Sequence, residues 1–257
     1  MASDWDPALY LKFTDHRLRP ALDLMARVPL SEAATIYDLG CGPGNVTKLI
    51  AERWPRARVT GVDASPEMLA KARAIPGITW QHADLATWRA EAPADLVYSN
   101  AAFHWLDDHA TLFPRLLAQV RPGGFLAVQM PRQQVNPTHR ILYEVAREPK
   151  WAQATLPGLR ENPVAEPGDY YEWLTPNAAT LDIWEVEYLQ ALEGDNAVLN
   201  WVLGSIARPV VDRLPADQQS EFLKRYGERL AAAYPRRPDG RTLLPFRRLF
   251  VIAQRRG

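Results

Sequence analysis

A chain of 257 residues, 47% of them hydrophobic, holds enough apolar material for one large α/β domain with an elaboration, or for two small domains. Lys+Arg and Asp+Glu number 30 each, and that zero net charge gives no reason to expect a nucleic acid or an acidic membrane as partner. Cys41 is the one cysteine, so no internal disulfide forms; no basic-then-apolar leader pattern occurs, and no apolar run approaches the ~20 residues of a membrane span, so a cytoplasmic protein is expected.

Residues 4–28 carry Leu9, Phe13, Leu18, Leu22 and Met25 at helical spacing up to Pro29. They predict an amphipathic arm, with Trp5, Tyr10 and Phe13 either packed on the core or laid over a ligand as a lid. Ala33 to Leu39 is a short apolar run with Asp38 near its end, a pattern for a buried parallel strand. Gly40, Gly42 and Gly44 follow, and from Asn45 the apolar residues Val46, Leu49 and Ile50 fall at helical spacing. A strand, a tight glycine turn and a helix start make a place where a ligand touches backbone, because glycine leaves no Cβ in the way.

Arg58 to Asp63 predicts a second strand, and Ser65-Pro66-Glu67 a helix start with Ser as N-cap and Pro at the first helical position. Further strands are expected at Ile78–His82 and Asp95–Asn100, a helix through Leu112, Leu116, Leu117 and Val120 that stops before Pro122, and a fifth strand at Phe125–Met130. After Pro131 the alternation fails: helical pieces such as Thr138–Arg147 are broken by Pro149, Pro157, Pro163, Pro167 and Pro176. A long strand over 180–192, helices over 195–207 and 215–234, and a strand at Thr242–Gln254 complete the chain. The two late strands are expected to pair as an antiparallel hairpin. The fold class predicted is α/β, a doubly wound, Rossmann-like, mostly parallel seven-stranded sheet with an antiparallel edge strand and a helical cap. The expected organisation is an N-terminal arm (1–30), a ligand-binding core (31–130), a cap (131–180 and 193–240) and late edge strands (181–192 and 241–257).

In such a sheet a ligand lies at the carboxyl ends of the strands. The glycine turn suits a dinucleotide or another adenosine cofactor, and Asp63, 21 residues after Gly42, is placed to accept from both ribose hydroxyls of either. The dinucleotide fingerprint wants a glycine at the sixth position from Gly40, where Asn45 stands. Asp38-Leu39-Gly40-Cys41-Gly42-Pro43-Gly44 instead fills the pattern D/E-x-G-x-G-x-G. It resembles motif I of the class I S-adenosylmethionine (SAM) methyltransferases, and Arg121-Pro122-Gly123-Gly124-Phe125-Leu126 is similar to the same family. The resemblance implies SAM, left as S-adenosylhomocysteine (SAH) after transfer. It implies contacts from Asp38, Gly40, Cys41 and Gly42 in the turn and from Asp63 and Ala64 at the ribose. Asp84 would accept from the adenine amino group, Leu85 and Met68 would hold the ring, and Asn100 would meet the methionine part.

Transfer from a sulfonium is an in-line displacement, so the protein has to align the reactants and keep water out. An amine, alcohol or carbon acid has a proton to lose, whereas a carboxylate, with a pKa of about 4, is already an anion. His82, His104, His109 and His139 are the candidate bases; His104 is the best placed, although with Trp105 it equally suits a pocket wall, and no catalytic residue is otherwise assigned. Asp107-Asp108-His109 reads as a helix start rather than a metal site, and no metal is expected. Arg132, Arg160, Arg208, Arg236, Arg237, Arg241, Arg247 and Arg248 gather in the later part of the chain, where a planar fork grips carboxylates.

Four further stretches carry a closer resemblance. They are Trp5-Asp6-Pro7-Ala8-Leu9-Tyr10-Leu11-Lys12-Phe13, Gln129-Met130-Pro131, Trp201-Val202-Leu203-Gly204-Ser205 with Arg208-Pro209, and Leu244-Pro245-Phe246-Arg247-Arg248-Leu249-Phe250. With them the chain resembles the trans-aconitate 2-methyltransferases nearly end to end. That resemblance implies methyl esterification of one carboxylate of a small polycarboxylate, with Tyr10, Gln129, Arg208 and Arg247 as expected substrate contacts. Two alternatives stay open: another small-molecule or carrier-bound acceptor, and a module that holds SAM or SAH without turnover. An NAD-dependent dehydrogenase is disfavoured by Asn45.

Overall fold

The computed structural model describes residues 18–159, 164–204 and 206–257. Its elements in chain order are α1 (Arg19–Arg27), β1 (Thr35–Leu39), α2 (Asn45–Arg53), β2 (Arg58–Asp63), α3 (Pro66–Ala72), β3 (Thr79–His82), β4 (Ala94–Asn100), a 3-10 turn (Phe103–Trp105), α4 (His109–Leu117) and β5 (Val120–Pro131). There follow α5 (Pro137–Ala146), α6 (Ala152–Thr155), a second 3-10 turn (Leu156–Gly158), α7 (Pro167–Leu174), β6 (Ala178–Leu192), α8 (Ala197–Leu203), α9 (Arg208–Val211), α10 (Ala216–Ala233) and β7 (Thr242–Arg255).

All seven strands form one sheet in the order β3-β2-β1-β4-β5-β7-β6. The pairs β3–β2, β2–β1, β1–β4 and β4–β5 are parallel, and β7 is antiparallel to β5. The chain winds outward from β1 to β3, then returns and winds the other way from β4. The order therefore reverses between β1 and β4, and the crevice for a ligand opens at the carboxyl ends of those two strands.

The described residues fall into two compact units. The first takes in the described residues of 18–131, 164–185 and 248–257; the second, those of 132–159, 186–204 and 206–247. In the first, one face of the sheet offers Leu39, Val97, Leu126, Val128, Met130, Leu249 and Val251 to Phe113 and Leu116 of α4 and to Tyr170 and Leu174 of α7. On the opposite face the Tyr98 hydroxyl donates to the Ala21 carbonyl of α1 at 2.8 Å. There Trp184 of β6 stacks on Phe250 of β7 at 4.8 Å and carries the Arg27 guanidinium over its other side at 4.3 Å. The second unit closes its own core with Ile141, Val145, Trp151, Val202, Val210, Phe222, Tyr226 and Leu230.

Several elements depart from the sequence reading. Val120, expected in a helix, starts β5 opposite Ala94, and the pairing then shifts register so that Phe125 faces Leu96. Pro122-Gly123-Gly124 thus falls inside the strand and does not precede it. Gly124 runs so close to the neighbouring strand that a Cβ would stand 2.7 Å from the Asp95 carbonyl oxygen. The helix expected over 195–207 is the shorter α8, Ala197–Leu203, and a separate α9 begins at Arg208. Residues 164–180, expected in the cap, pack in the core of the first unit through Tyr170, Leu174 and Ala178. The two late strands do lie side by side at the sheet edge as expected, β7 between β5 and the outermost β6. Among the described residues no helix is long and apolar enough to cross a membrane.

Candidate functional site

The glycine turn is held from beneath. The Gly40 and Cys41 N–H groups both donate to the Val62 carbonyl of β2, at 2.8 and 3.1 Å, and Gly42 N–H donates to Asp63 Oδ2 at 2.8 Å. Each glycine answers a different need. A Cβ on Gly40 would stand 2.1 Å from the Ala102 Cβ, and one on Gly44 2.6 Å from the Trp80 ring, so both are required by packing. Gly42, at φ +56°, has nothing within 4 Å of the place where its Cβ would be. Among the described residues nothing packs on this corner of the turn, and a left-handed backbone keeps it bare.

Asp63 ends β2 and receives one N–H on each carboxylate oxygen, from Gly42 and, at 2.8 Å, from Ser65. Each oxygen keeps a lone pair for a ribose hydroxyl. Ala64 is exposed, and its carbonyl lies 3.0 Å from His82 Nε2, so this histidine, one of the candidate bases, braces the turn after β2. Met68 is half-buried in the first turn of α3, where its N–H donates to the N-cap Ser65 hydroxyl at 3.3 Å. Beyond β3, Asp84 is exposed and accepts from Ala86 N–H at 2.9 Å, and Leu85 is buried. The Arg115 guanidinium reaches across from α4 to the carbonyls of Leu85, Ala86 and Trp88 and fixes that loop.

Asp38 lies beneath the turn, 1% exposed, and accepts from the Thr47 hydroxyl at 2.6 Å. Burial pushes its pKa up from 3.8 to about 7; the Thr47 hydrogen bond opposes the shift and the Asp63 charge adds to it. Cys41 is also buried, and burial, with Asp38 and Asp63 near, raises its thiol pKa far above the ordinary value, so it stays a protonated thiol.

The other wall is the carboxyl end of β4 and β5. Asn100 ends β4, and Ala101 after it sits at φ +55°, a left-handed conformation unusual for a residue with a Cβ. The Ala101 N–H donates to the Gln129 carbonyl at 2.9 Å, and the turn sets Ala102 against Gly40. His104 and Trp105 follow in the 3-10 turn, their rings 4.7 Å apart, with His104 half-buried and Trp105 52% exposed. This turn is anchored by His109, which is buried with Nε2 2.9 Å from the Phe103 carbonyl and Nδ1 2.6 Å from the Tyr170 hydroxyl. The carbonyl can only accept, so Nε2 carries the proton and the Tyr170 hydroxyl donates to Nδ1. Asp108 caps α4 by accepting from Thr111 N–H at 3.2 Å.

Asn100 and Gln129 are register partners across β4 and β5, so their side chains share a face. Asn100 Oδ1 and Gln129 Nε2 are buried, and among the described residues neither has a hydrogen-bond partner. A buried polar atom left so costs about 1–3 kcal/mol. Gln129 Oε1 accepts from Arg248 Nη1 at 3.2 Å, with Gln129 fully buried and Arg248 6% exposed.

The remaining described sequence-predicted residues belong to the second unit. Arg208 is exposed on α9 and paired with Asp212 at 3.5 Å. Arg247 is paired with Glu187 at 3.4 Å. His139, whose pKa burial lowers to about 4, belongs to the second unit. A cavity of ≈ 190 Å³ in that unit is lined by Val198, Leu199, Leu230 and Tyr234 and by Arg236, one of the arginines noted in the sequence, which pairs with Asp195 at 3.0 Å. Tyr10 and Arg160 fall outside the described residues, as does most of the expected arm. Thr47, Ala101 and Tyr170 had no assigned part in the sequence reading. Arg248 stood among the arginines expected to grip carboxylates but not among the four named substrate contacts.

Comparisons with known proteins agree with this geometry. A methyltransferase-domain family model matches residues 36–124, the span from β1 into β5. Trans-aconitate 2-methyltransferases from Azoarcus sp. (strain BH72), Methylobacterium nodulans and Escherichia coli are 49%, 48% and 43% identical, each aligned over 98% of this chain and 99% of the relative. Among solved structures, the YcgJ protein from Bacillus subtilis superposes with a TM-score of 0.59 at 15% identity, over 94% of this chain and 99% of that one. A Haemonchus contortus phosphoethanolamine N-methyltransferase 2 in complex with SAM gives 0.54 at 15% identity, over 93% of this chain and 53% of that one. These two share the fold.

Proposed function

The chain belongs to the trans-aconitate 2-methyltransferase family, and on that premise we propose that it moves a methyl group from SAM to a carboxylate of trans-aconitate, forming the methyl ester. The observation that carries this reading is identity of 43–49% extending over 98% of the chain. The site fits the cofactor on two counts of its own: the bare Gly42 corner beside the Asp63 carboxylate, and the buried Asn100 Oδ1 that has no hydrogen-bond partner.

Bound SAM supplies a methyl on a positively charged sulfur: as the acceptor oxygen forms its bond to that carbon, the carbon–sulfur bond breaks, its electron pair goes to sulfur and SAH is left. The residues of the chain bind, orient and exclude water. Asp63, held in place by its bonds to Gly42 and Ser65 N–H, would accept from the ribose hydroxyls. Asp84 would accept from the adenine amino group, with Leu85 and Met68 holding the ring. Asn100 Oδ1 would accept from the methionine ammonium. Asp38 sets the turn through Thr47, and its negative charge, partly developed near neutral pH, favours a cationic ligand above it.

No general base is required, because a carboxylate acceptor is ionised at neutral pH. The histidines agree: His82 and His109 are engaged with backbone carbonyls, His139 belongs to the second unit, and His104 serves as pocket wall with Trp105. Of the expected substrate contacts, Gln129 is the one in the same unit as the glycine turn. A cytoplasmic setting fits the single buried thiol, which needs no oxidising compartment. Mass spectrometry of products from methyl-labelled SAM with trans-aconitate, cis-aconitate, isocitrate and citrate tests the reading. A labelled monomethyl ester of trans-aconitate is expected in excess over the others. Absence of any ester, with SAH bound tightly, would leave only a cofactor-binding module.

A further inference from the structure

The β5–β7 end of the site contains a cation that the sequence reading did not separate from its neighbour. Arg248 stands on β7 opposite Pro131 and next to Gln129, in the same unit as the glycine turn. A guanidinium has only donors, so the Gln129 amide must turn its oxygen to Arg248, as the 3.2 Å contact records. That fixes the other half of the amide. Gln129 Nε2 points away from Arg248, is fully buried and makes no hydrogen bond. Its register partner Asn100 has a buried Oδ1 in the same condition, and the two do not satisfy each other. A donor held in one orientation by a neighbouring cation, and left without an acceptor among the described residues, is suited to an anion from outside.

We propose that Arg248 and Gln129 together seat one carboxylate of the acceptor, the guanidinium giving charge and a planar fork, and Nε2 giving a second, neutral donor. This rests on the methyltransferase reading above and adds to it a choice among carboxylates. A carboxylate gripped by a guanidinium has its charge neutralised and its lone pairs engaged, so it is a poor nucleophile. The seated group is therefore the anchor, and the group that is methylated is a different one on the same molecule. An acid with a single carboxylate cannot be both anchor and acceptor. The pair thus selects di- and tricarboxylates over monocarboxylates, and it accounts for a fully buried glutamine at a position where an apolar residue would pack without loss.

The SAM methionine carboxylate has the same chemistry, and two binding constants separate the sources. Gln129→Glu is close to isosteric and keeps its partner, since Glu pairs with Arg248, so the fold is retained; it places a negative charge where the anchor belongs. Calorimetry is run on wild type and variant, first with SAH, then with trans-aconitate added to the SAH complex. KM for trans-aconitate is measured with SAM. Acceptor affinity is expected to fall roughly 100-fold and KM to rise in step, with SAH affinity changed less than about threefold. Arg248→Lys, which keeps charge and loses the fork, is expected to weaken the acceptor about tenfold. For wild type, kcat/KM on monocarboxylates is expected to be at least about 100-fold lower than on trans-aconitate. An unchanged acceptor constant in Gln129→Glu overturns the seat. A loss of SAH affinity equal to the loss of acceptor affinity also overturns it, by assigning the pair to the cofactor. A wild-type enzyme that neither binds nor methylates any of the acids overturns the methyltransferase reading and the seat with it.

Discussion

The two halves of the ligand edge are built differently. On the β1–β2–β3 side the work falls to backbone and short carboxylates: the Gly42 corner, the N–H groups held by Val62 and Asp63, and Asp84 in its loop. On the β4–β5–β7 side it falls to longer polar side chains, Asn100, Gln129 and Arg248. A turn made of backbone serves any adenosine cofactor and leaves a local signature of glycines. A pocket made of buried side chains would select one acceptor, and the proposed seat joins Gln129 to Arg248, 119 residues on.

The largest expected effect breaks the backbone half. Gly40→Ala sets a Cβ 2.1 Å from Ala102 at a left-handed φ of +76°, so a loss of about 2–5 kcal/mol is expected in urea unfolding. Asp38 should rank next. Between about pH 4 and pH 7 the folded chain holds a proton on Asp38 that the unfolded chain has released, so raising the pH through this window favours unfolding. Stability from this group is expected to fall by an amount on the order of 3 kcal/mol across the window and to level off above it, and Asp38→Asn should remove the slope in melts taken at stepped pH. A wild-type chain with no such decline would show that Asp38 ionises as an ordinary carboxylate.

Gly42→Ala sharpens the contrast, since the same chemical change at the open corner should cost the fold only about 1–2 kcal/mol of left-handed strain. SAH affinity is expected to drop more than tenfold in calorimetry, because the new methyl takes ligand space. Equal stability losses at Gly40 and Gly42 would erase the distinction between packing glycine and ligand glycine. The smallest effect belongs to Arg208→Ala, on an exposed side chain paired only with Asp212 among the described contacts. Stability within about 0.5 kcal/mol of wild type and an unchanged KM for the acceptor are expected.

Legibility in the sequence followed the same division. The turn could be read because its parts are neighbours: Asp38 to Gly44 is seven consecutive residues, and Ser65-Pro66 caps α3 as the local rules require. Arg247 and Arg248 could not be told apart. Successive residues of a strand face opposite sides, but Leu249, Val251 and Ala253 are buried on one face of β7 and Phe250 and Ile252 on the other. With both faces apolar, alternation offers no clue to which arginine turns inward, and only the register of Pro131 with Arg248 decides it. The start of β5 was hidden for a related reason. Pro122-Gly123-Gly124 reads as a turn, and it is the close approach of Gly124 to Asp95, a long-range contact, that keeps it in the strand. Residues 163–180 look like cap material by their prolines, yet Tyr170 ties them to His109 and hence to the turn after β4.

The shelter around Cys41 has a practical use. A thiol this well covered and this reluctant to ionise should ignore maleimide at neutral pH, and the chain has no other. A cysteine introduced on an exposed surface would then be the one site that takes a fluorophore, so paired dyes could follow movement during turnover without first stripping the native sulfur from the protein.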